Sequence, residues 1–207
     1  MVRSLLDTYK HEGWLPDCHM ASCKGWTQGG SNADVVLADG FVKNLTGMVP
    51  INWSLAYEAM VNDAENEPLE WSYQGRGGLM SWKTLNYIPY LDFDYIGFGT
   101  NSRSISRTVE YAYDDFALSV VAKGMGKEDY TKYRARSSNW QNIFNEDQKS
   151  FMSNGTDTGF TGFFQPKFLN GTWGYQDPIA CSPLVDFCSL TSNPSETFES
   201  SVWEYQL

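Results

Sequence analysis

Basic residues are scarce in this 207-residue chain: 15 Lys and Arg stand against 25 Asp and Glu, a formal net charge of −10. Neutralising a phosphate backbone takes clustered cations, so a nucleic-acid partner is excluded. The acidic residues are scattered among aromatics, which also excludes a disordered acidic tail. Long apolar runs are missing, and nowhere do about eighteen apolar residues follow one another, so no membrane-spanning helix is expected. The N-terminus turns polar after Leu5 and Leu6 and lacks the profile of a signal peptide. Only His11 and His19 are available for histidine chemistry, and His19, in a loop beside Cys18, reads as backbone-satisfied rather than as a ligand. Four cysteines, Cys18, Cys23, Cys181 and Cys188, permit disulfides in any of three pairings, and their local spacings suit zinc poorly. The sequence has no Walker loop, nucleophile elbow, dinucleotide fingerprint or paired-histidine zinc motif. Repeats and low-complexity stretches are absent, and strand-like alternation is scarce.

What is abundant is aromatic: 8 Trp, 12 Tyr and 12 Phe, many beside Gly, Asn and Pro, which puts rings on loops. The hydrophobic content of 42% fills one core, enough for a single domain. A helix end is read over about Ser4–Lys10, stopped by Gly13 and Pro16. Ser31 or Asn32 caps a second helix carrying Val35, Val36, Leu37, Phe41 and Val42. Asn52 opens a third, with Leu55, Ala59 and Met60 at helical spacing and Pro68 marking its end. From Leu69 to Asn101 the periodicity dissolves into about thirty loop residues, a length that is usually functional. The strongest helix runs from about Ser104 to Lys123 through Ile105, Val109, Ala112, Phe116 and Val120, with Gly124 and Gly126 as its stop. A further helix is expected over Glu128–Phe144, then a second Gly- and aromatic-rich excursion over Asn154–Ser182. The fold class is mainly α: helix pairs joined by long aromatic loops, as in a toroid or a decorated bundle.

Asp, Glu, Asn, Gln, Arg and Trp gathered in loops are the residue types that bind sugars. Rings cover the C–H face of a pyranose while carboxylates and amides fix its hydroxyls. Particular stretches sharpen this. Gly-Trp-Leu-Pro-Asp at 13–17, Gly-Gly-Ser-Asn-Ala-Asp-Val-Val-Leu-Ala-Asp at 29–39, Gly-Arg-Gly-Gly-Leu at 75–79, residues 104–116, Asn-Gly-Thr-Trp at 170–173 and residues 197–205 are similar, in sequence and order, to the α-mannosidases of glycoside hydrolase family 92. The resemblance covers nearly the whole chain.

That resemblance implies part of an (α/α)6 barrel, usually preceded by a β-sandwich, in an enzyme that removes terminal α-linked mannose (α-1,2-type) from N-glycans or mannan with inversion and the help of calcium. Inversion needs two carboxyl groups about 6.5–9.5 Å apart, one protonated and one ionised. The family's general acid falls on Glu199, in Glu-Ser-Ser-Val-Trp-Glu-Tyr, with Ser200 where the family has Gly. Glu204, five residues on, is expected to face a different side. Asp34 is carried over to the mannose pocket, set against its other role as a carboxylate stabilised by a helix N-terminus. Trp14, Arg76 and Trp173 are candidates for the pocket wall, while Asp114 and Asp115, mid-helix, read as structural carboxylates bonding a neighbouring loop.

The family's Asn-Glu-Pro calcium segment and its Gly-Asn-Glu-Asp segment near the base are expected after residue 207, so the calcium ligands and the general base are expected mostly outside this chain. Asn66-Glu67-Pro68 has the right letters in the wrong order and reads as a helix end. A full toroid also needs more chain, since helices average about eleven residues before loops are added. The chain therefore reads as residues 1–207 of a partial catalytic domain, lacking the β-sandwich and the C-terminal part of the barrel. Two other readings stand beside the enzyme: a non-catalytic mannose-binding remnant, and an amidase that releases N-glycans from asparagine. Sequons at Asn44, Asn52, Asn154 and Asn170, with the cysteines, favour a secretory route, though without a leader a cytosolic location stays open.

Overall fold

A computed structural model describes residues 1–17, 31–47, 49–91, 94, 96–99, 103–180, 182 and 184. Among them are six α-helices and one two-stranded antiparallel sheet, so the chain is mainly helical. Helix α1 (Val2–Glu12) buries Leu5 and Leu6 and ends on Gly13, whose φ of 81° lets its N–H reach back to Tyr9 O. Helix α2 (Asn32–Val42) and helix α3 (Trp53–Glu65) follow, separated by a 3-10 turn at Leu45–Gly47. The Asn52 side chain accepts from Leu55 N at 3.1 Å and so caps α3 as its sequence position predicts. Helix α5 (Ser104–Gly124) is the organising element, buried along most of its length.

Three apolar clusters meet on α5. Its Leu118 and Val121 join Leu5, Leu6, Leu37, Ala56, Ala59 and Met60, where α1, α2 and α3 converge. Ile105 packs with Tyr87, Ile143, Phe163 and Phe164, and Tyr111 and Ala112 with Leu79, Trp82 and Ile88. One helix thus ties the N-terminal helices to everything that follows Pro68.

Three expectations are corrected. The stretch read as a loop from Leu69 to Asn101 holds a short helix, α4 (Leu79–Leu85), bounded by left-handed residues Gly78 and Asn86. Seven residues are too few to show a period, and much of what holds this helix is tertiary: Glu67 Oε2 accepts from Leu79 N at 2.9 Å. The helix expected over Glu128–Phe144 is confined to α6 (Tyr130–Arg136), because Ser137, Ser138 and Asn139 turn the chain into a 3-10 segment at Asn139–Ile143. The chain then extends into β1 (Phe144–Phe151), which pairs with β2 (Asp157–Phe164) inside the second supposed loop. The register sets Phe144 opposite Phe164 and Phe151 opposite Asp157, with shifts between. Those irregularities spoil the alternation that marks a strand in sequence.

The α2–α5 contact is close because it is made at a glycine. A Cβ on Gly124 would lie 2.4 Å from the Phe41 ring, which itself stands edge-on to Trp53 at 5.2 Å. Gly124→Ala gains about 1 kcal/mol of helix propensity and loses about 1–3 kcal/mol to overpacking, so the clash decides the sign. Urea unfolding is expected to show a net loss of roughly 1 kcal/mol; an unchanged or higher midpoint contradicts the tight contact.

Candidate active site

The candidate stretch lies where the segment after α3 turns inward. Residues 15–17 run beside 73–75, with Asp17 N donating to Tyr73 O and Gly75 N to Leu15 O, both at 3.0 Å. Gly75 and Gly78 take left-handed backbone conformations, φ 58° and 64°, and between them the chain drives Arg76 into the interior. Gly77 lies against the Trp71 indole so closely that a Cβ there would be 2.1 Å from the ring, and Gly99 presses on the same indole. The Arg107 guanidinium lies 4.4 Å from the Trp71 ring and donates to Gly77 O at 2.7 Å. Tyr111 OH both accepts from Gly77 N (3.0 Å) and donates to Gly77 O (2.9 Å).

Arg76, fully buried, reaches three carboxylates. Its Nη2 donates to Asp34 Oδ2 at 2.7 Å and its Nη1 to Asp115 Oδ1 at 2.8 Å, while Nε lies 3.6 Å from Asp114 Oδ2. Asp115 is shared: Trp82 Nε1 donates to its Oδ2 at 3.2 Å and Arg136 Nε to the same oxygen at 2.6 Å. Arg136 continues to Glu65 Oε1 at 2.9 Å, and Glu65 meets Lys83 and Lys132 near the surface at 3.1 and 3.0 Å. On the other side Ser31 bridges two acids, its N–H donating to Asp114 Oδ2 (2.9 Å) and its hydroxyl to Asp63 Oδ2 (2.6 Å).

Asp34, Asp63, Asp114 and Asp115 are thus four buried carboxyl groups facing one buried guanidinium, Arg76, and a second, Arg136, near the edge. Ionising all four would leave uncompensated negative charge in a dry interior, so some of their protons stay. Burial pushes Asp34 and Asp114 well above the usual carboxylate range, with Arg76 pulling the other way. Burial likewise raises Asp63, to about 7, against the hydrogen bond from Ser31. Asp34, Asp63 and Asp114 each keep one buried oxygen, Oδ1, with no hydrogen-bond partner. Glu65 moves the opposite way, to about 2, because Lys132, Arg136 and Lys83 outweigh its partial burial. Carboxyl groups whose proton affinity is displaced by burial and a shared cation are frequent at functional sites, which makes this cluster a candidate.

Of the residues picked out by sequence, Asp34 and Arg76 come together, and Trp14 lies against the same turn, its ring next to Gly75. Trp173 stands apart from them: it is 41% exposed, bridged to Lys167, whose ammonium sits 4.1 Å from its ring. Glu199, Glu204, His19 and the four cysteines lie outside the described residues. Asp114 and Asp115 bond Ser31 and Arg76, both on loops, as read from their position. Sequence reasoning missed Asp63 and Arg136. Asp63 carried a signal, since it continues the buried spacing Ala56, Ala59, Met60 of α3 and is therefore a carboxylate at a core position. Arg136 carried none.

A model of the glycosyl hydrolase family 92 catalytic domain matches residues 1–207. The chain belongs to glycoside hydrolase family 92. An uncharacterized secreted glycosidase of the fungus Arthroderma benhamiae is 64% identical to this family 92 chain over 202 residues, covering 98% of the chain and 26% of that protein. A family 92 inverting mannosidase from Bacteroides thetaiotaomicron VPI-5482 is similar in fold, with a TM-score of 0.70 at 22% identity over 98% of this chain and 23% of that one. The family 92 α-mannosidase of Bacteroides thetaiotaomicron in complex with mannoimidazole gives a TM-score of 0.63 at 25% identity, covering 88% of this chain and 20% of that one. The chain therefore spans about a quarter of the length of the curated relative it matches. Among the described residues no helix is long and apolar enough to cross a membrane.

Two outcomes follow from the cluster. Arg76→Met strands buried carboxylates and is expected to cost about 3–5 kcal/mol in denaturant unfolding; a loss below about 1 kcal/mol contradicts the central role of the guanidinium. Asp63 binds its proton more tightly folded than unfolded, so its stabilisation is fully present below about pH 4 and is lost as pH rises through about 7. Melting temperatures of Asp63→Asn and wild type from pH 4 to 8 are expected to move in the variant's favour as pH rises, because the amide mimics the protonated acid; a gap independent of pH refutes this.

Proposed function

We propose that this family 92 chain is part of the catalytic domain of an exo-acting α-mannosidase that removes terminal α-linked mannose, α-1,2-type, from N-glycans or mannan with inversion. The supporting observation is the match to the family's catalytic domain over residues 1–207, which takes in both the Arg76 cluster and the Glu199 segment. The mannoimidazole-bound α-mannosidase among its structural relatives points to the same class of sugar. On this reading the six helices belong to an (α/α)6 toroid completed, together with a β-sandwich and the general base, by sequence beyond these residues. The secreted relative favours a secretory location.

Glu199 is the proposed general acid, protonating the leaving oxygen as the glycosidic bond breaks. A base on the opposite face, about 6.5–9.5 Å away, activates the water that inverts the centre. Asp34 is assigned to the mannose pocket through its unpartnered Oδ1, with Trp14 on the wall beside it, although within residues 1–207 the Asp34 side chain is fully buried. Trp173 is assigned to an outer sugar unit. Calcium is the cofactor the family resemblance implies. Among the described residues no group of three or more His, Cys, Asp or Glu is arranged to hold a metal ion, and the buried carboxylates are engaged by Arg76, Arg136 and Ser31. These residues do not fit the ion, its ligands are assigned to sequence outside them, and no step runs through it.

Mannose release from α-1,2-mannobiose by the full-length protein that carries this chain, with calcium or a chelator, tests the reading, while residues 1–207 alone, lacking the base, are expected to release none. Glu199→Gln is expected to lower release by about 10²–10⁴-fold, the usual worth of a general acid. Release of intact glycans from a glycoprotein would make the protein an amidase instead, and mannose binding without hydrolysis a non-catalytic module.

A further inference from the structure

Two turns in this chain are copies of one another. In the β1–β2 connection, Gly155 N donates to Met152 O and Met152 N to Thr156 O, both at 2.8 Å, with Gly155 at φ 84°. In the connection after β2, Gly171 N donates to Phe168 O and Phe168 N to Thr172 O, again at 2.8 Å, with Gly171 at φ 83°. Each is a tight turn closed by a left-handed glycine. In both, the residues before and after that glycine are Asn and Thr: Asn154-Gly155-Thr156 and Asn170-Gly171-Thr172. In both, the Asn Oδ1 accepts from the Thr backbone N–H at 3.0 Å. Thr172 also brings its hydroxyl to Asn170 Oδ1 at 2.7 Å.

From these turns we infer that Asn154 and Asn170 are N-glycosylation sites. The acceptor chemistry needs an asparagine amide nitrogen clear of the chain with a hydroxyl side chain two residues on, in a place where a bulky polar glycan meets solvent. The turns supply each of these. With Oδ1 occupied by the backbone, Nδ2 is left facing outward, and residues 153–157 and 169–173 are all exposed. A Cβ on either glycine would meet nothing within 4 Å, so the space around each turn is open.

The other two sequons are built differently. Asn52 is the α3 cap, followed by Trp53, and the hydroxyl oxygen of Thr46 in the Asn44 sequon accepts from Trp53 Nε1 at 2.5 Å. Neither lies on a tight turn closed by a left-handed glycine, the feature that the Asn154 and Asn170 sequons share. The glycan on Asn170 would also stand beside Leu169 and Tyr175, exposed apolar side chains within five residues of it, 64% and 66% accessible.

In the transfer, a lipid-pyrophosphate-linked oligosaccharide is the donor. Asn Nδ2 forms a bond to the anomeric carbon, the bond from that carbon to the pyrophosphate oxygen breaks, the lipid pyrophosphate leaves with the electron pair, and Nδ2 gives up one proton. The inference rests on passage through a secretory pathway and is independent of mannosidase activity, so a chain without activity still reports on it.

The test directs the full chain through a fungal secretory pathway behind a supplied leader and maps its peptides by mass before and after peptide N-glycosidase. Glycans are expected on the Asn154 and Asn170 peptides, at higher occupancy than on Asn44 or Asn52. Thr156→Ala and Thr172→Ala should each remove only their own glycan, since alanine keeps the backbone N–H that the Asn Oδ1 accepts from. Because exposed Asn-Gly also deamidates, Asp at 154 or 170 before enzyme treatment, without a glycan, overturns the inference. So do unmodified peptides in the secreted chain, or glycans confined to Asn44 and Asn52.

Discussion

Arg76 is fully buried, and its pairing with carboxylates sets the terms for the rest of this structure. Its partners come from the start of α2 and the middle of α5, and the turn that carries it inward works only because its backbone can pass close to Pro68, Trp14 and Trp71 at glycines. Four buried carboxyls around it overshoot its charge, and the excess is handled in two ways. Arg136 takes a share of Asp115 from the protein's edge, and protons are retained on the acids burial has made weak. Alternating charge then continues to solvent through Glu65, Lys83 and Lys132.

Much of the helical framework was legible because helices of ordinary length advertise their period and their caps. Asn52 and Gly13 cap their helices as their chemistry predicts, whereas Ser31 stands at the start of α2 with its hydroxyl turned to Asp63, and α5 runs through Gly124 to end at Met125, before the left-handed Gly126. What was not legible was made by tertiary contact. Helix α4 is too short to show a period and leans on Glu67, the hairpin is irregular in register, and Ser137, Ser138 and Asn139 end a helix that apolar spacing alone would have carried on.

The site was legible to a similar degree. Asp34 and Arg76 stood in stretches rich in Gly and Asn, and the structure sets them 2.7 Å apart. Asp63 was visible only as a carboxylate on an apolar face, and Arg136 not at all, since a surface arginine and one that reaches inward look the same in sequence. Trp14 and Trp173 were chosen for the same reason, yet one lies beside the Arg76 turn and the other on an exposed turn beyond the hairpin.

The charges that meet at Arg76 are far apart along the chain, at positions 34, 76, 114 and 115. Bringing together residues that far apart costs the entropy of closing the loops between them. Until all the partners have arrived, any compact arrangement that shuts water out traps an uncompensated charge. The cluster therefore ties drying of the interior to correct pairing, because an arrangement that leaves Arg76 or its carboxylates unpaired cannot exclude water without a large cost.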